Sequence, residues 1–138
     1  MRKPITVVMA ALAAALVLPS TASATPGSGV TGTILAQKTV GHTDYTLREV
    51  TIQPGGYTGW HFHDGTLYAY VKSGTLTHNL ADCSIDGIFA TGRAFTEKPD
   101  QVHIGRNLGS TPLVLEVLYV LPAGSPLSED APNPGCGF

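Results

Sequence analysis

The chain has 138 residues, a formal net charge of −2 and 13% charged side chains against 43% hydrophobic ones. That is enough for one domain with one core, and the absence of any basic cluster argues against a nucleic-acid partner. There is no G-x-S-x-G, no phosphate-cradling glycine loop and no C-x-x-C, which sets aside serine hydrolase, nucleotide and thiol-redox chemistry.

The chain opens with Arg2 and Lys3, an apolar run from Ile5 to Leu18, and then Ala22-Ser23-Ala24. A basic start, a short apolar stretch and a small-x-small triplet predict a signal peptide over residues 1–24, cut between Ala24 and Thr25. The run is shorter than the roughly 20 residues that span a bilayer. The expected product is therefore secreted by the Sec route, with no membrane partner after cleavage. Losing Arg2 and Lys3 takes the charge from −2 to −4. Residues 25–29 read as a flexible lead-in.

Residues 30–122 read as one all-β domain. Apolar residues do not recur at helical spacing, and glycines break the chain into short segments rich in Val, Ile, Leu, Thr and Tyr. The candidate strands are TILAQKTV, YTLREVTIQ, TGWHFH, TLYAYVK, TLTHNL, GIFAT, RAFTEK, VHIGRN and PLVLEVLYVL. Turn signals such as QPGG, HDGT, KSGT, DCSIDG and EKPDQ separate them. About nine short strands imply a sandwich, jelly roll or barrel. The last strand, nearly all apolar, is expected to be covered on both faces.

The tail, residues 123–138, is too rich in Pro, Gly and Ser to fold alone. In an oxidising compartment its Cys136 is expected to pair with Cys83. The bridge would close a loop of about 50 residues and tether the tail to the ADCSIDG loop, with a structural role.

His61 and His63 carry the strongest chemical signal. On a strand, residues i and i+2 point to one face, so the two imidazoles can converge on one ion while Phe62 faces the packing. His103 lies on a later strand. Gly55-x5-His61-x-His63 with Gly74 resembles the first motif of the cupin family, and Gly92 through Pro99 to His103 and Asn107 resembles the second. The resemblance implies a cupin-type double-stranded β-helix, a jelly-roll barrel of the cupin-2 kind. It further implies metal ligation by His61, His63 and His103. The family's glutamate falls on Leu67, or on Tyr68 at the longer spacing, and neither is an acid. Gln101 stands where the second motif has a glycine, and His103 comes one residue early.

Two functions follow from different classes. In the first, the three histidines hold a divalent transition metal (Fe, Mn, Zn or Ni) at the barrel mouth, facing a small molecule. In the second, the site has lost its metal and the barrel is a small-molecule-binding, sugar-binding or structural module, with a homodimer as a candidate assembly. No general base is identifiable, so the catalytic residues are unknown and no reaction is named. Trp60, Leu67 and Tyr68 are the candidate ligand-pocket residues, with Tyr70 better explained by packing. His42 and His78 are expected at the surface, and Asp64 in a solvated turn. Glu116 faces solvent or the barrel interior. Arg48, which shares strand parity with Val50 and Ile52, and Arg106 pair with a substrate carboxylate or a surface acid. Asn107 is expected to fix backbone.

Overall fold

The computed structural model describes residues 24–138, so the expected leader lies outside the described residues apart from Ala24. Ten strands follow in order: β1 (Ser28–Val40), β2 (Thr43–Tyr57), β3 (His61–Phe62), β4 (Thr66–Ser73), β5 (Thr75–Leu80), β6 (Ile85–Ala90), β7 (Ala94–Glu97), β8 (His103–Arg106), β9 (Leu113–Pro122) and β10 (Glu129–Asp130). No helix occurs among the described residues. Nine of the strands fall on the expected segments, with β1 starting earlier than predicted. β10 arises from the tail, where sequence composition gave no strand signal.

All pairings are antiparallel. β1-β2-β9-β4-β7 form one layer and β6-β5-β8-β3-β10 the other, and the end of β2 joins them where Tyr57 pairs with Arg106. Alternation selects what each layer turns inward. On β4, Leu67, Ala69 and Val71 are buried while Tyr68 and Tyr70 are exposed. On β9, Leu113, Leu115, Val117, Tyr119 and Leu121 are buried. Joined by Val50, Ile52 and Leu76 they make the main core, each aliphatic contributing about 1.5–3 kcal/mol. The outward residues of β9 are half-buried, so the strand is not covered equally on both faces. It is flanked by β2 and β4 but keeps a partly solvated outer side, where Glu116 meets Lys72 at 3.5 Å.

Turn chemistry closes the strands. Gly74, with φ +82°, links β4 to β5, and a Cβ there would lie 2.9 Å from the Leu113 Cα and the Pro112 oxygen, so only glycine fits. Asn107 ends β8 as a backbone clamp: its Nδ2 donates to the Ile52 and Thr111 carbonyls, each at 2.8 Å, and its Oδ1 accepts from Gly109 N–H at 3.0 Å.

The tail and the lead-in are structural parts of the barrel. Glu129 pairs with Phe62 and Asp130 with His61, and Ala131 N–H donates to the Trp60 carbonyl at 2.9 Å. Thr25 N–H donates to the Ala131 carbonyl at 3.3 Å and Ala24 bridges Pro132, so the start of the lead-in meets the tail through backbone bonds. The Cys83–Cys136 disulfide, with Cα atoms 5.5 Å apart, locks this end. It buries a second cluster of Trp60, Ile104, Ala131 and Cys136, with Phe62 against it. Phe138 stacks on Trp60 at 6.1 Å, and the Arg106 guanidinium sits 3.9 Å over the Phe138 ring. Trp60 therefore belongs to packing beneath the tail and not to a ligand pocket. Tyr68, 54% exposed, points outward because it alternates with buried Leu67.

Candidate metal centre

Four histidines and one acid converge between the two layers. His61 on β3 pairs in register with His103 on β8, and their rings lie 4.3 Å apart. His63, just past the end of β3, sits 4.9 Å from His61 and 5.2 Å from His103 by ring centroids. One nitrogen from each of the three lies within 4.8 Å of the other two. Phe62 turns away into the second cluster, as the i, i+2 geometry requires.

The acid comes from another strand. Leu67 on β4 pairs with Glu97 on β7, and directly opposed residues on one face have Cβ atoms about 4.5–5.5 Å apart. The carboxylate expected at position 67 is therefore delivered from the neighbouring strand, while Leu67 fills the core. Glu97 Oε2 lies 3.2 Å from His63 Nε2 and 3.4 Å from His103 Nε2. Its other oxygen, Oε1, lies 3.5 Å from His78 Nε2. The side chain of Glu97 is 12% exposed and that of His78 2%.

His78, expected at the surface, is thus a buried member of the site. Its inward direction follows from parity with Leu76 on β5, a signal visible in TLTHNL. Glu97 shares parity with half-buried Phe95 in the same way, but the segment EKPDQ reads as a turn and hides it. His42 is exposed in the β1–β2 turn, and Asp64 is half-buried in the turn after His63.

The hydrogen bonds fix which nitrogen faces the centre. Nδ1 of His61 donates to the Gly59 carbonyl at 2.9 Å, Nδ1 of His63 to the Leu127 carbonyl at 2.7 Å, and Nδ1 of His103 to the Gln101 carbonyl at 2.7 Å. A carbonyl only accepts, so each Nδ1 carries the proton and each neutral ring presents an Nε2 lone pair. His78 is held likewise, its Nδ1 donating to Asp86 Oδ2 at 3.1 Å. The Nε2 atoms of His63, His78 and His103 are buried with no hydrogen-bond partner, although all three face one carboxylate. Lone pairs and a carboxylate do not satisfy each other. A positive charge is needed among them, a metal ion or protons taken up by the rings.

Two overlapping sets of residues could hold an ion, His61 with His63 and His103, and His78 with Glu97 and His103, the ligand atoms of each set lying within 4.8 Å of one another. Two ligands bonded to one metal at about 2.1 Å stand about 3.0 Å apart at right angles and about 3.4 Å apart in a tetrahedron. The Glu97 separations of 3.2 and 3.4 Å from His63 and His103 fall in that range. Burial, with the neighbouring His103 and His63 rings, pushes the His61 imidazolium down to about 3, which keeps that ring neutral and able to ligate. Burial on its own would raise the Glu97 carboxyl. The rings of His103, His63 and His78 act the other way: a proton taken up at their Nε2 atoms is donated to the carboxylate, and this holds the group well below the usual carboxylate range.

Two neighbouring cavities share His61 and His63 in their walls. The inner one, about 50 Å³, is walled by Leu67, Leu76, Leu115 and Val117 and touches Glu97, His61 and His63. The outer one, about 110 Å³, shares Val50, Thr58, His61, His63 and Tyr119 with it and adds Arg48, Ser128 and Asp130. Arg106 faces away, donating to Asn79 at 3.3 Å.

A family model described as "Cupin domain" matches residues 48–121, more than half of the chain. No curated protein sequence matches it. Among solved structures, a cupin-like protein from Thermotoga maritima is 20% identical, with a TM-score of 0.62 over 78% of this chain and 80% of that one. The polyketide cyclase RemF from Streptomyces resistomycificus is 20% identical, with a TM-score of 0.60 over 80% of this chain and 79% of that one. A cupin domain from Bordetella pertussis is 22% identical, with a TM-score of 0.56 over 70% of this chain and 95% of that one. At such identities the likeness carries the fold and nothing about activity. A jelly-roll barrel, both histidine-bearing motifs and the family match over residues 48–121 lead to one conclusion: the chain belongs to the cupin family.

Proposed function

We propose that this is an exported cupin in which His61, His63, His103 and Glu97 hold one divalent transition-metal ion facing a small-molecule pocket. The observation that carries the reading is the set of buried Nε2 atoms without partners around a single carboxylate. Three imidazoles and one carboxylate suit Fe, Mn, Zn or Ni better than the hard ions Mg and Ca or the soft ion Cu(I). When bound, such an ion supplies Lewis acidity toward an oxygen-bearing ligand. His78 steadies Glu97 through Oε1, and Asp86 orients His78. The aliphatic wall of the inner cavity keeps water away from the centre. The Cys83–Cys136 pair suits an oxidising compartment and so supports export.

The same aliphatic wall favours a second reading, a metal-free barrel that binds an apolar ligand. Elemental analysis of the purified chain separates the two. The metal reading predicts close to one divalent ion per chain, lost in His63→Ala and His103→Ala. Sub-stoichiometric metal that is unchanged in those variants leaves the metal-free module.

A further inference from the structure

We propose that the outer cavity recognises a small organic acid, its carboxylate held by Arg48 and a second oxygen turned toward His61 and His63. This rests on the metal-centre reading for the second oxygen and on the cavity alone for the carboxylate. Arg48 lies on the inward face of β2 in line with Val50 and Ile52 and lines the cavity with both histidines. Its guanidinium occupies the space above Gly32 on β1, where any side chain would collide with its Nη2, Nε and Cζ.

No acid pairs with Arg48 among the described residues. The other cations of the neighbourhood are engaged, Lys72 with Glu49 and Glu116, and Arg106 with Asn79 and Phe138. Asp130 stands exposed on the rim of the same cavity without forming an ion pair with Arg48. Tyr119 supplies a second polar group. Its ring meets His63 edge-on at 5.8 Å, and its hydroxyl lies beside the Arg48 charge.

A planar fork that no acid neutralises matches a carboxylate in bidentate fashion, which a lysine in its place would not. The volume, about 110 Å³, limits the ligand to a few heavy atoms beyond the carboxylate.

The test is isothermal titration of the purified chain with lactate and succinate against their neutral amides, lactamide and succinamide. It is run with protein stripped by chelator and with protein loaded with Mn²⁺. Wild type is expected to bind at least one acid about tenfold or more tighter than its amide. Arg48→Gln should erase that preference, and Arg48→Lys should keep part of it. Gly32→Ala retains the cation but displaces the fork, so it should also lose the preference. Metal content should be the same in all three variants as in wild type. Equal affinity for acid and amide, a preference retained in Arg48→Gln, or no binding of either acid at millimolar concentration would overturn the proposal. Failure of the metal reading would look different: no ion retained in any protein, with the Arg48-dependent preference still present in the stripped one.

Discussion

Glu97 and Leu67 face each other across two strands, and the consequence is an acid reached from either position. Glu97→Gln should lower the affinity for a divalent ion by at least about tenfold, read by competition with a chelating dye. Adding Leu67→Glu to that variant should recover part of the loss, because the carboxylate then rises from the opposed Cβ. His78→Ala, which frees Glu97 Oε1, should weaken the ion by about 10- to 100-fold while leaving one ion bound at saturation. Three of the proposed ligands were legible in the sequence because His61, His63 and His103 sit in the glycine- and proline-framed motifs. The fourth was not. An acid moved to a neighbouring strand keeps its place in space but loses its place in the motif, and only parity with Phe95 marks Glu97 as inward.

At the scale of elements, β10 and the tail decide how firmly β3 presents its histidines. Leu127 accepts from His63, Asp130 pairs with His61, and the Cys83–Cys136 bridge fixes the segment that carries them. The bridge spans 53 residues, which on the chain-entropy account is worth about 4 kcal/mol. Cys83→Ala with Cys136→Ala should therefore lower the midpoint of urea unfolding and also weaken metal binding. A lower midpoint with unchanged affinity would show that the tail supports the fold alone. Strands β1 to β9 were readable because alternation and turn residues mark them. The tail strand was not, since Glu129 and Asp130 pair only because the disulfide and Trp60 bring them to β3. The same limit governs Trp60 itself, whose aromatic character suggests a pocket until Cys136, Ala131 and Phe138 are seen to cover it.

For the molecule as a whole, the centre makes stability depend on pH in one direction. The folded pKa of His61 is about 3 against 6.5 unfolded, so below about 6.5 the unfolded chain binds a proton that the folded chain refuses. Stability thus falls as pH drops from about 6.5 toward 3. Glu97, held well below the usual range, contributes stability above its unfolded value and loses it as pH falls through its folded value, so both groups act together. Denaturant unfolding of the stripped protein should show the decline, and Mn²⁺ or Zn²⁺ should offset it at neutral pH and less in acid, where protons compete for the ligands. The most direct measurement is anomalous diffraction from crystals of the metal-loaded protein. One peak is expected, bonded to Nε2 of His61, His63 and His103 and to a Glu97 oxygen, each at about 2.0–2.2 Å. No peak in the barrel, or an ion there that leaves Glu97 unbonded, would contradict it.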